Sequence, residues 1–445
     1  MLQLRKASAP RSPEKLNMIH DSNSTAPRPW SGPRMPEFIA LMAALMASNA
    51  MAIDSMLPAL PAIGDALNVV RENQRQLVIT AYLLGFGVAQ IAYGPLADRF
   101  GRKGLLVGGM IFYAIFSALA GLSGSFTLLL ISRALMGVAA AATRVLVVAV
   151  VRDRYHGSEM ARIMSITMIV FMIVPVLAPT FGQAVLGMGT WRHIFIILAA
   201  YGLMLAGWVW LRLPETLAPE RRQPLSAGHI GRAAAETLRN RVSIGNSLAV
   251  TLAMGALFSF INSVQQIVFD VFRAPELIGV IFACIAGPMA ISSYINSRLV
   301  RRYGSRRILL VALTVFTGMA TLHLITAQTL GETIWTFALL QGLTMGCFGL
   351  IGANAGALAM EPLGHIAGTA SSVQGVITTI GGALIGFYIG QHFDGTTLPF
   401  MIGFVVCGAA ALAVAIWANR PNTPRWTPEQ RDEQVAACTP PEVLG

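Results

Sequence analysis

Gly94-Pro-Leu-Ala-Asp98-Arg99-Phe-Gly101-Arg102-Lys103 joins two apolar runs, Leu77 to Ala92 and Gly104 to Leu122. Each run is long enough to cross a bilayer, which makes the decapeptide a tight basic hairpin between two spans. It holds Arg99, Arg102 and Lys103 and one acid, Asp98. Gly94 lets helices approach closely, and Gly101 permits a turn at φ > 0. Asp98 falls at a helix end, where a carboxylate pairs with basic groups or meets the positive N-terminus of another helix. The plainer alternative is a cytoplasmic turn whose arginines only set orientation.

Working outward, the whole chain has the composition of a membrane protein. Of 445 residues 55% are hydrophobic and 12% charged, and the mean hydropathy is +0.62. A water-soluble protein this apolar cannot cover its surface. The net charge of +11 does not indicate nucleic acid, because the basic residues sit at the ends of apolar runs. Cys284, Cys347, Cys407 and Cys438 have neither metal-ligand nor disulfide spacing.

Twelve apolar segments of spanning length are expected, near 37–60, 76–97, 105–124, 126–151, 161–186, 191–213, 242–269, 276–297, 307–327, 332–359, 364–391 and 396–418. Residues 1–36 and 420–445 read as disordered cytoplasmic tails, and no cleavable signal peptide precedes the first segment. In this frame 26 of the 32 Lys and Arg residues lie on the N-terminal side. Arg71, Arg75, Arg192 and Arg273 lie opposite, and Arg133 and Arg144 fall inside the fourth segment. Both termini are therefore expected in the cytoplasm. The linker 214–241 divides the segments six and six, into bundles at 37–213 and 242–419. Ser297–Arg306 aligns weakly with Gly94–Lys103, matching Leu299, Arg302 and Gly304 to Leu96, Arg99 and Gly101, with Arg301 in place of Asp98. The fold class expected is all-α, twelve transmembrane helices in two pseudo-symmetric six-helix bundles with a mid-membrane site between them.

Charge inside a span is costly and marks function by default. Asp54 lies roughly 25 Å along the first segment, and Arg133 roughly 10 Å from the outer end of the fourth, which runs the other way. The two share the outer half of the membrane, so Asp54 is a candidate proton carrier tuned by Arg133. A fixed Asp–Arg pair, or an Asp54 hydrated at the outer mouth, is the alternative. Arg144 follows Arg133 by eleven residues and lies nearly on the same helix face. It either snorkels to the cytoplasmic surface, the preferred reading, or meets an anionic group on a substrate.

The decapeptide resembles the signature loop between helices 2 and 3 of the major facilitator superfamily at almost every position. In that family the loop is a conformational latch, which assigns that role to Gly94, Asp98, Arg99, Gly101, Arg102 and Lys103, with the Asp engaging the other half when the protein faces outward. Arg133-Ala-Leu-Met-Gly137 resembles the family's helix-4 motif, whose Arg is associated with proton coupling; Met136 stands where Gln is common. Pro175, Pro179 and Gly182 resemble the helix-5 motif associated with export, although a kinked helix with small residues is also ordinary in membranes. Asp54–Ile63, Val151-Arg-Asp153, Trp191-Arg-His-Ile-Phe195, Arg212-Leu-Pro-Glu-Thr216 and Asp394-Gly-Thr-Thr-Leu-Pro399 are similar to one branch, the twelve-helix drug:proton antiporters of the bicyclomycin- and chloramphenicol-resistance type.

A substrate cavity is expected to use Arg144, Tyr82, Gln90, Phe258, Asn262, Gln265, Gln266, Phe348, Asn354 and Gln374, since amides and aromatics suit a large apolar ligand with a few polar groups. The seven histidines form no H-E-x-x-H motif, and no G-x-S-x-G elbow or phosphate loop occurs, so an enzyme is not expected. No cofactor and no metal are implied. The partners expected are protons, a small-molecule substrate and the lipid bilayer, with no nucleic acid, for a monomer in the inner membrane. The function implied is proton-coupled export of small amphipathic molecules by alternating access; the rival is a proton-coupled importer or exchanger of a small organic anion.

Overall fold

A computed structural model describes residues 32–155, 157–217, 222 and 227–420. The expected tails fall outside them except for 32–36 and 420, as do Cys438 and the linker positions 218–221 and 223–226. Fifteen α-helices and no strand occur among the described residues. In order they are α1 (Met35–Asp54), α2 (Leu60–Ala66), α3 (Leu77–Phe100), α4 (Arg102–Gly121), α5 (Phe126–Arg154), α6 (Gly157–Met188), α7 (Trp191–Arg212), α8 (Ala227–Arg239), α9 (Arg241–Gln266), α10 (Ile278–Tyr303), α11 (Ser305–Leu330), α12 (Ile334–Gly346), α13 (Phe348–Met360), α14 (Ala367–Gln391) and α15 (Leu398–Ala418).

Helices pair in matched ways in the two halves. α1 packs on α6 as α9 packs on α14, α3 on α5 as α10 on α12, and α4 on α7 as α11 on α15. The halves meet along α3–α14 and α6–α10, contacts that the same pseudo-twofold exchanges. Among the described residues eleven helical stretches are long and apolar enough to span a bilayer, and the apolar run Ile173–Met188 of α6 stands in the remaining place. Leu203, Val311, Ile325 and Val406 are exposed on the outside, where only lipid makes such surface stable. The start of α1 and the end of α15 define the near side; the opposite end is the far side.

Three boundaries depart from expectation. The basic hairpin shrinks to one residue, because Gly101 at φ +95° reverses the chain between α3 and α4, so Arg102 and Lys103 are helical. Gly304, its partner in the weak repeat, does the same at φ +75° between α10 and α11. The first segment breaks after Asp54: Ser55 ends α1, and Pro58 has no N–H with which to extend it. The tenth segment divides at Cys347 into α12 and α13.

Candidate functional site

The fourth-segment arginine is positioned by close backbone packing. Gly85 faces the Ala134 carbonyl and Gly137 the Tyr82 carbonyl, and a Cβ at either glycine would collide with that oxygen. This contact of α3 with α5 buries Arg133 completely. Its Nε donates to the Val78 carbonyl at 3.0 Å, and its guanidinium lies 4.7 Å from the Tyr82 ring centre and 5.9 Å from that of Phe195. Arg133 Nη1 lies 3.5 Å from the Met136 sulfur, a soft acceptor in place of the usual amide. Tyr82 is therefore not a cavity residue in this conformer: its hydroxyl donates to Asn49 Oδ1 at 3.0 Å, and Asn49 Nδ2 donates to Thr143 at 2.8 Å. Asn49 and Thr143 complete a buried polar chain that sequence reasoning missed, because small polar residues at helical spacing look like packing.

Asp54 and Arg133 are not brought together. No ion pair joins them, and Asp54, only 4% exposed, leaves its Oδ1 without a hydrogen-bond partner among the described residues. A buried polar atom left unmatched costs about 1–3 kcal/mol. The fixed Asp–Arg pair is absent from this conformer. What holds the Asp54 region is α6: Gly182 lies directly against the Ser55 carbonyl and close to Pro58, so the glycine of the helix-5 motif abuts the α1 break.

The near side carries a second polar node. Arg102 Nη2 pairs with Asp98 at 2.9 Å and its Nε with Asp153 Oδ2 at 3.1 Å. Thr216 Oγ1 donates to the same Asp153 oxygen at 3.2 Å. Glu215 accepts the backbone N–H groups of Arg102 at 2.9 Å and Lys103 at 3.2 Å, capping the start of α4. Three stretches distant in sequence, around residues 98–103, 153 and 215–216, thus form one network within the first half. Arg99 takes no part in it and lies over the Phe100 ring at 5.3 Å. Gly94 lies beside Ser372 of α14. Among the described residues Asp98 bonds to Arg102 and to nothing in the second half.

The two ends of the interface between halves differ. On the far side Asn73 Nδ2 donates to the carbonyls of Gln391 and Phe393, each at 3.0 Å. Gln76 Nε2 donates to Gln266 Oε1 at 2.6 Å and to the Gly390 carbonyl at 3.0 Å. Gln266 Nε2 returns to Asn73 Oδ1 at 2.8 Å, and Gln391 Nε2 donates to the Asn73 carbonyl at 2.6 Å. Gln183 Nε2 adds a bond to the Pro275 carbonyl at 2.5 Å. These amides close the far end. Apart from Gln266, none was singled out from sequence, since polar residues at span ends resemble ordinary loop residues.

Toward the near side the halves part around a cavity of about 650 Å³, lined by α3, α5 and the start of α14. Gln90 and Arg144 face it, with Asp98, Arg102, Arg152 and Ser372. Gln90 also donates to Thr379 Oγ1 at 3.0 Å, which marks where the halves rejoin. Arg144 stands ten residues before the end of α5, about 15 Å from that end, and lines the cavity. A water-accessible cleft at that depth removes the need for its head to travel to the surface.

The remaining cavity candidates lie elsewhere in this conformer. Phe258, Gln265 and Phe348 are buried among helices, Asn354 donates to Asn296 at 2.7 Å, and Gln374 to Ser243 at 3.2 Å. Asn262 is buried with neither side-chain polar atom bonded. Pro175 and Pro179 lie inside α6. Another buried pair escaped the sequence reading: His323 Nε2 lies 2.7 Å from Glu332 Oε1, and Thr397 donates to Glu332 Oε2 at 2.6 Å. Among the described residues no cluster of His, Cys, Asp or Glu has the form of a metal site.

Loosening the far end tests the role assigned to its amides. With Asn73→Ala and Gln76→Ala, a cysteine replacing Asn262, just beneath the seal, is expected to react severalfold faster with an impermeant maleimide added on the far side, because each lost bond contributes about 0.5–1.5 kcal/mol. Labelling at the parent rate would show that these amides do not hold that end closed.

Known proteins are similar to this chain. A family model for the Major Facilitator Superfamily matches residues 41–386 and 275–444. The chain is 28% identical over 374 residues to a bicyclomycin resistance protein homolog of Haemophilus influenzae, covering 83% of this chain and 93% of that one. It is 31% identical over 368 residues to the uncharacterized MFS-type transporter YdgK of Bacillus subtilis, 81% and 90% of the two chains. Identity to the multidrug resistance protein MdtL of Salmonella typhi is 28% over 397 residues, 87% and 96% of the two. The solved structure of the human organic anion transporter MFSD10 (TETRAN) superposes with a TM-score of 0.61 at 17% identity, over 87% of this chain and all of that one. Matched along most of its length, the chain belongs to the major facilitator superfamily and is a multi-pass membrane transporter rather than an enzyme.

Proposed function

We propose that the protein is a proton-coupled exporter of small amphipathic molecules, working by alternating access in the inner membrane with both termini in the cytoplasm. The observation that carries this reading is the contrast between the two ends of one interface: amide bonds close the far end, while a cavity separates the halves toward the near end. That is the form of a transporter waiting for cargo on the near side. The excess of arginine on that side supports a cytoplasmic placement. Asp54, buried with an unmatched oxygen beside the α1 break, is the proposed proton carrier, and Gly182 couples it to movement of α6. Arg133 acts through the packing of α3 and α5 and makes no direct pair with the acid in this state. The names of the relatives, for bicyclomycin and multidrug resistance, favour export over import.

Asp98 is placed to latch the opposite state. It is half exposed and shares the cavity with Gly368 and Thr369 at the positive start of α14, which it would reach when the near side closes. Asp98→Asn is therefore expected to leave cargo binding intact and slow turnover about tenfold, the loss of roughly one charge-assisted bond. Parallel loss of binding and turnover would point to a folding defect. The reading as a whole is tested in proteoliposomes: cargo accumulation is expected to collapse when the pH gradient is dissipated with the voltage clamped. Accumulation that survives removal of both gradients would refute proton coupling.

A further inference from the structure

The charges around the near-side cavity do not balance. Its lining holds three arginines, Arg102, Arg144 and Arg152, against one acid, Asp98. Arg102 is already matched to Asp98 and Asp153. Arg144 and Arg152 both line the cavity and, among the described residues, make no hydrogen bond, ion pair or ring contact. They lie eight residues apart on α5, about two turns, so one stands deep in the cleft and the other nearer its mouth. The first turn of α14, Gly368 to Ser372, faces them across the cavity and adds the positive end of a 25-residue helix. Structural arginines inside membrane bundles find partners, as Arg133 does with a carbonyl and two rings. Two left open toward a cleft between the halves have the chemistry of an anion-binding site.

We infer that the cargo is an anion: an amphipathic molecule whose carboxylate, or an equivalent oxyanion, seats on the Arg144 guanidinium, with Arg152 drawing it in from the near side. A planar guanidinium suits a carboxylate because two N–H groups meet two oxygens. The walls supply the rest: Ile91, Val145 and Val148 are apolar, and Gln90 and Ser372 provide a few neutral hydrogen-bonding groups. The inference rests on reading this cavity as the cargo path, and it narrows that reading from amphipathic molecules in general to acidic ones.

The test measures binding alone, so a failure of anion recognition and a failure of proton coupling give separate results. Purified full-length protein in neutral detergent is titrated with 2-naphthoate, with its neutral counterpart 2-naphthamide and with 2-naphthylmethylammonium, following the thermal unfolding midpoint. The carboxylate is expected to bind at least about tenfold tighter than the amide, the ammonium weakest, in keeping with a charge-assisted bond. Arg144→Gln is expected to erase the preference for carboxylate, Arg144→Lys to keep part of it, and Arg152→Gln to weaken it less. An unfolding midpoint of the ligand-free Gln variant within a few degrees of the parent's certifies that it is folded. No carboxylate binding, equal binding of the three probes, or an unchanged preference in Arg144→Gln would overturn the inference. Displacement of 2-naphthoate by added phosphatidylglycerol would also overturn it, by giving the site to a lipid headgroup.

Discussion

Asp54→Asn protein is expected to lose cargo accumulation against a gradient entirely while retaining cargo–cargo exchange. The substitution preserves size and removes the carboxylate charge and the titratable proton. Asp54 suits the test because little else is tied to it: it is 4% exposed and, among the described residues, forms no ion pair and leaves one oxygen unmatched. Replacing a carboxyl engaged in a network would confound coupling with packing, since breaking a buried pair costs about 3–5 kcal/mol by itself. Here Arg133 keeps its carbonyl and ring contacts whatever stands at position 54. Asp54→Glu, which keeps the proton but lengthens the arm, is expected to retain part of the accumulation. Undiminished accumulation in Asp54→Asn would remove this acid from the mechanism.

Gly182→Val is expected to abolish transport in either direction. A Cβ at this position would collide with the Ser55 carbonyl, so α6 must move away from the α1 break. Such overpacking costs about 1–3 kcal/mol, enough to lower the unfolding midpoint by a few degrees without unfolding the protein. The loss of transport is expected to exceed the loss of stability because α6 also meets α10 of the other half, close to where Gln183 bonds the Pro275 carbonyl. Displacing α6 therefore disturbs the Asp54 region and the far-side closure together. Gly182→Ala is the milder case, with turnover reduced about tenfold for roughly one kcal/mol or more of strain. Wild-type turnover in Gly182→Val would show that the close contact is not required.

Much of the fold is legible in the chain because the bilayer imposes it. A span must be apolar for about 20 residues, and clusters of basic residues mark several of the span ends on one side. Gly101 and Gly304 disclose the repeat, and both turn at positive φ. The residues of the basic turn were readable because their spacing is local; their partners were not. Nothing in the order of residues announces that Glu215 and Thr216, 113 positions after Arg102 and Lys103, close over the same turn. The far-side amides stayed hidden for the same reason: Asn73 and Gln391 are ordinary until two helix ends are laid side by side. Arg144 could not be placed because sequence gives its depth and not the shape of the space beside it. Asp54 and Arg133 share a depth, yet depth is one coordinate of three, and the guanidinium is held by α3 and by Phe195 of α7.

The most direct measurement reverses the direction of drive. Proteoliposomes containing a trapped pH indicator, with the voltage clamped and no initial pH difference, receive cargo on the outside. Exchange of cargo for protons predicts that the interior becomes alkaline as cargo enters, and that Asp54→Asn vesicles give no such signal. Cargo entering at the full rate with the interior pH unchanged would contradict the account.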